Sequence, residues 1–106
     1  VSSPVSSPLG RSALGGRNWE GFSPDPYLTR VAMHLTVQGI QSIGAQATAK
    51  HSVGNLQEIH RSLVFLSNGT IVDAVTSNID DRTLHELYVS PFANAVKAGV
   101  ASVMCS

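Results

Sequence analysis

Asp25-Pro26-Tyr27-Leu28-Thr29-Arg30-Val31-Ala32-Met33-His34-Leu35-Thr36-Val37-Gln38-Gly39-Ile40-Gln41-Ser42-Ile43-Gly44, followed at once by Ala45-Gln46-Ala47-Thr48-Ala49-Lys50-His51, reads as one helix running into one strand. Asp25 can accept from the exposed N–H groups of a helix start. Pro26 suits the first turn, where its missing donor costs nothing. Leu28, Val31, Ala32, Leu35, Gly39 and Ile43 recur at 3.6-residue spacing, which predicts a helix over Pro26 to Ile43 with those residues facing inward. Gly44 supplies a permissive C-terminal position. Ala45 to Lys50 is short, small and mostly apolar, as in a strand buried inside an α/β sheet.

The same order recurs downstream. Asp80 or Asp81 marks a second helix start, Leu84, Leu87, Tyr88, Phe92 and Val96 form its expected inner face, and Gly99 ends it. Pro91 falls inside that pattern and predicts a kink or a division. Val100 to Cys105 is the second strand. Between the two units, Gln57 to Ser62 predicts a short helix, Leu63 to Leu66 an apolar patch and Asn68-Gly69 a turn. Helix, strand, long loop, helix, strand implies parallel pairing with right-handed crossovers, so the fold class is α/β. It suits part of a (β/α)8 barrel of the TIM type, of which a complete copy needs about 250 residues.

Upstream, Val1 to Gly16 is rich in Ser, Pro and Gly and has no period, which predicts loop, with residues 1–7 mobile. Gly15 to Pro26 then crowds Arg17, Asn18, Trp19 and Glu20 into one Gly-rich stretch. Packing alone does not justify such a set. Arg and Glu form directional hydrogen bonds to hydroxyls, and Trp offers a flat apolar face with one donor, which suits a sugar.

Composition narrows the classes. The 106 residues are 42% hydrophobic and 13% charged, with a formal net charge of zero. Nucleic acid and anionic membranes call for a basic face, so neither is an expected partner. No apolar run approaches the ~20 residues that span a bilayer. The Ser/Pro-rich start lacks the basic and apolar regions of a signal peptide. One cysteine, Cys105, forms no internal disulfide. The missing initiator Met and the end within a strand are read as marks of a fragment.

Gly16 to Pro26, Ala49-Lys50-His51, Gly54-Asn55, Gln57-Glu58, Asn78 to Tyr88 and Val103-Met104-Cys105-Ser106 together resemble fungal β-glucosidases of glycoside hydrolase family 3. The resemblance runs in order from about Pro8 to Ser106 and implies that residues 8–106 are part of the family's N-terminal (β/α)8 barrel domain. It implies a secreted enzyme that removes terminal β-linked glucose from cellobiose, β-glucan oligosaccharides and aryl glucosides with retention, through a covalent glycosyl-enzyme, and needs no cofactor.

By the same resemblance, Arg17, Lys50 and His51 match residues that hydrogen-bond the glucosyl unit, and Met104 matches a residue lining that pocket. Active-site groups of parallel barrels sit at C-terminal strand ends, which is where spacing alone puts Lys50-His51 and Met104. The residues leave other roles open: an Arg17–Glu20 ion pair, a solvated Lys50, and Trp19 as a core or loop anchor outside the site. Glu58 and Arg61 match a neighbouring family pattern and are read first as a structural ion pair, second as sugar contacts. Asn68-Gly69-Thr70 fits an N-glycosylation acceptor.

Other chemistries fail on spacing. His51, Glu58 and His60 match no metal pattern, and there is neither a phosphate loop nor a Gly-x-Ser-x-Gly elbow. The resemblance also implies that the nucleophile Asp and the acid/base Glu lie outside this chain, together with an Asp that precedes the Arg17 loop. Within the matching region Leu56 stands where an acid is usual, Arg30 where Gly is usual, and Ser52 where an aromatic is common. Alternatives to a β-glucosidase are a non-catalytic carbohydrate-binding remnant and β-xylosidase or glucan exo-hydrolase specificity.

Overall fold

A computed structural model describes residues 4–5 and 10–106. Helix α1 spans Pro26–Ser42, strand β1 Thr48–Ser52, strands β2 and β3 Val64–Phe65 and Ile71–Val72, and helix α2 Asp81–Thr83. A π-helical turn over Leu84–Val89 leads into helix α3, Ser90–Lys97, and strand β4 covers Ser102–Cys105. β1 and β4 pair in parallel, while β2 and β3 form a separate antiparallel hairpin. No helix among the described residues is long and apolar enough to cross a membrane.

The helix starts are where the sequence puts them. Asp25 Oδ1 accepts from the Tyr27 N–H at 2.8 Å, and Asp80 Oδ1 from the Thr83 N–H at 3.0 Å. Pro91 divides the second helix. In an unbroken α-helix its ring would meet the carbonyl of Leu87, and the wider π turn just before it relieves that contact.

The inner faces match the expected ones only in part: Tyr88 and Phe92 are buried as expected, and other positions differ. α1 buries Thr29, Met33 and Val37, whereas Leu35 and Ile43 are 61% and 83% exposed and Leu28 is also exposed. On α3 it is Ala95 that is buried, while Val96 is 63% exposed. The cause is the contact between the two helices. Met33 and Val37 pack with Phe92, Ala95, Ala47 and Ala49 into the core, and a small residue at 95 lets the helices approach. Thr29 is satisfied by donating to the Ser23 carbonyl at 2.9 Å.

Both strands start later than expected, because Gln41 organises the turns before them. Its Oε1 accepts from the Ala101 N–H at 2.9 Å and the Ala47 N–H at 3.4 Å, and its Nε2 donates to the Gly99 carbonyl at 2.9 Å. Thr48 and Ser102, the first register partners, join hydroxyls at 2.6 Å.

The excursion between the units holds turns rather than the short helix expected at 57–62, and His60 there has a φ of 54°. The apolar patch at 63–66 contributes the exposed β2, and Asn68-Gly69 turns the hairpin, with Asn68 Oδ1 accepting from the Thr70 N–H at 3.0 Å. Of the segment 1–7 expected to be mobile, Pro4 and Val5 are described. Both are buried, Val5 bridges Lys50 in parallel, and the Lys50 N–H donates to the Pro4 carbonyl at 3.1 Å. The rest of that expectation lies outside the described residues.

Candidate functional site

The site is built on β1 and the loop that precedes α1; β1 runs on to Ser52, so Lys50 lies within the strand rather than at its end. Gly15 and Gly16 let that loop press against the chain at Glu58. A Cβ on Gly15 would stand 2.4 Å from Asn18 Oδ1, and one on Gly16 would stand 3.1 Å from the Glu58 Cβ. Gly16 also has a φ of +96°, which side chains disfavour. The Glu58 N–H donates to the Gly15 carbonyl at 2.8 Å, which locks the two segments together.

Arg17 then starts a 3-10 turn over Asn18–Glu20, and the turn returns Glu20 to it. The Arg17 guanidinium grips the Glu20 carboxylate with two prongs, Nε to Oε1 and Nη2 to Oε2, the latter at 2.7 Å. The same carboxylate lies 3.6 Å from Lys50 Nζ on β1. On the other side, Arg17 Nη1 is 3.5 Å from Glu58 Oε2, and Glu58 Oε1 is 3.3 Å from Arg61 Nε. Five side chains of alternating charge therefore run Lys50, Glu20, Arg17, Glu58, Arg61.

This cluster fixes protonation states. The Arg17 hydrogen bond, ahead of the opposing effect of burial, holds the Glu20 carboxyl below its ordinary range. In return the bond to Glu20 pushes the Arg17 guanidinium higher still. Both groups stay charged through the neutral range.

The expected residues fall into place unevenly. Arg17 and Lys50 meet at Glu20, His51 follows Lys50 on β1 and is half-buried, and Met104 is the register partner of Lys50 on β4, 43% exposed. The peptide bonds Lys50–His51 and Ser52–Val53 are cis. Glu58 and Arg61 form the ion pair read from the sequence, with Arg17 as an added partner. Trp19 is 83% exposed, so it is neither core nor loop anchor here. Glu20, read from the sequence as a hydroxyl-bonding group or as the ion-pair partner of Arg17, also reaches Lys50. Its spacing of three from Arg17 signalled one contact, but nothing local signalled Lys50.

A cleft of about 560 Å³ opens beside this cluster, lined in part by Asn55, Gln57, Arg61, Ser77 and Ser106. Of the cluster only Arg61 reaches it. Among the described residues no three His, Cys, Asp or Glu side chains converge as metal ligands.

A parallel β1·β4 pair with an intervening helical crossover defines an α/β architecture, with Lys50 and Arg17 brought together beside β1. The model of the glycosyl hydrolase family 3 N-terminal domain matches residues 3–106, and the chain belongs to that family. It is 63% identical over 107 aligned positions to the probable beta-glucosidase G of Aspergillus flavus, covering 97% of this chain and 13% of that protein. To the probable beta-glucosidase L of Aspergillus fumigatus it is 58% identical over 103 positions, covering 97% and 12%. The crystal structure of the beta-D-glucoside glucohydrolase from Trichoderma reesei superposes with a TM-score of 0.84 at 55% identity, covering all of this chain and 14% of that one. A family 3 beta-glucosidase from Neurospora crassa gives 0.87 at 46%, again over the whole chain and 13% of the other. The chain thus spans about an eighth of the length of these relatives. Its fold class is α/β, part of a TIM-type barrel.

Proposed function

We propose that this chain supplies part of the sugar-binding wall of a retaining, exo-acting β-glucosidase that hydrolyses terminal β-D-glucosyl residues in a secreted, cellulose- or β-glucan-degrading setting. The observation that carries this reading is the convergence of Arg17 and Lys50 on Glu20 beside β1. A planar guanidinium and a rotatable ammonium, fixed side by side, can donate to neighbouring hydroxyls of one pyranose ring. His51 adds a third group of either polarity, and Met104 an apolar wall. Donors of this kind tighten as the ring flattens toward an oxocarbenium-like state, so they serve catalysis as well as binding. The nucleophile and the acid/base are provided from outside residues 1–106, and the chain by itself is inactive.

The test is a chimaera in which residues 1–106 replace the matching segment of the Trichoderma reesei enzyme. It is expected to hydrolyse an aryl β-glucoside in preference to the β-xyloside, and Arg17→Ala or His51→Ala to lower kcat/KM by roughly tenfold or more. Preference for the xyloside would reassign the specificity. A folded chimaera that binds D-glucose without turnover would favour the non-catalytic remnant.

A further inference from the structure

Arg17 and Lys50 come from separate segments, and among the described ion pairs Glu20 is the side chain that touches both. It is well placed to hold them. Its side chain is 13% exposed, and the 3-10 turn beneath it is closed by the Glu20 N–H to the Arg17 carbonyl at 3.1 Å and the Gly21 N–H to the Asn18 carbonyl at 3.2 Å. Two long cations facing a neutral sugar would otherwise repel one another and wander through many rotamers. A carboxylate between them offsets the repulsion and freezes both.

We propose that Glu20 is a positioning residue for the sugar site, setting the distance and direction of the Arg17 and Lys50 donors without contacting the sugar itself. Glu20 holds the Lys50 ammonium by charge at 3.6 Å, which leaves ammonium protons for hydroxyls. Glu58, at 3.5 Å, steadies Arg17 from the opposite side. The Arg17 hydrogen bond holds the Glu20 carboxyl below its ordinary range, so the splint is charged at neutral pH. This inference rests on the reading that Arg17 and Lys50 bind the sugar.

In the active chimaera, Glu20→Gln keeps the shape and removes the charge. It is expected to lower kcat/KM about 10- to 100-fold with a rise in KM. Glu20→Asp should recover part of the loss. Adding Glu20→Gln to the double variant Arg17→Ala/Lys50→Met should make it little worse, because Glu20 acts through those two partners. A loss in kcat with unchanged KM, in step with a smaller folded fraction, would mean a purely structural role and would overturn the proposal. So would kinetics within about twofold of the parent for Glu20→Gln while Arg17→Ala and Lys50→Met are impaired, a result that leaves the sugar-binding reading standing. If none of the three substitutions matters, both the reading and the proposal fall.

Discussion

Lys50 on β1 and Met104 on β4 are partners at one level of the parallel ladder, so a charged and an apolar candidate contact leave the sheet side by side. Adjacent strands in register present such a pair to the same face. One can orient a hydroxyl while the other covers the ring. In the chimaeric enzyme Lys50→Met is expected to lower kcat/KM by roughly tenfold or more, since it removes a charged donor. Met104→Ala removes only apolar contact and should cost a few-fold. Equal losses from steady-state kinetics would contradict this division of roles.

Gln41 joins both turns that lead into the parallel pair. Replacing it with Ala leaves the Ala101 and Ala47 N–H groups and the Gly99 carbonyl without their side-chain partner. The expected cost is about 1–3 kcal/mol. Gln41→Met, which restores the volume without the polar atoms, should not recover it. Native-state hydrogen exchange of the β1 and β4 amides reads the difference directly.

The inner face of α1 can be tested by contrast. Met33 is fully buried, so Met33→Ala should destabilise the helix packing by about 2–5 kcal/mol. Val96 is exposed, and Val96→Ala should stay within about 0.5 kcal/mol in the isolated chain. Exchange of the α1 and α3 amides would expose an inverted order.

Acid should loosen the site and a helix start together. Glu20 is held below its ordinary value chiefly by Arg17, and Asp80 chiefly by its hydrogen bonds to Thr83. A depressed carboxyl contributes stability that is present above its unfolded value, near pH 4, and lost as pH falls through the folded one. Unfolding midpoints should therefore be flat through neutrality and decline in acid. Asp80→Asn should shrink that decline, and unchanged acid sensitivity in Asp80→Asn would count against the cap.

Asn68 stands at the exposed tip of the β2–β3 hairpin, with Thr70 two residues on. Expression through a fungal secretory route is expected to add a glycan there. A mass shift removed by a peptide N-glycosidase, and absent in Asn68→Gln, would establish it; an unmodified tip would refute it.

What could be read from the sequence was local. Asp25, Pro26 and Asp80 announce helix starts because a cap needs only its own next turn, and Asn68-Gly69 announces a turn for the same reason. The parallel pair followed from strand–helix order. The face of α1 did not follow, because the helix carries two apolar stripes, and Phe92 and Ala95, far away in sequence, choose between them. Leu35 and Ile43 belong to the stripe left outside. The link from Glu20 to Lys50 was hidden in the same way, since 30 positions separate them and no spacing rule spans that gap.

Consider finally the order in which a ribosome would deliver these parts. Lys50 emerges 54 residues before Met104, its ladder partner. At ~5–20 residues per second that is a wait of roughly 3–10 s, long beside the microseconds in which helices form. Pro4 and Val5, made earlier still, already lie along one edge of β1. During the wait Pro4 and Val5 can cover one edge of β1 at Lys50, so this upstream segment acts as a temporary guard for the strand that carries a candidate sugar contact.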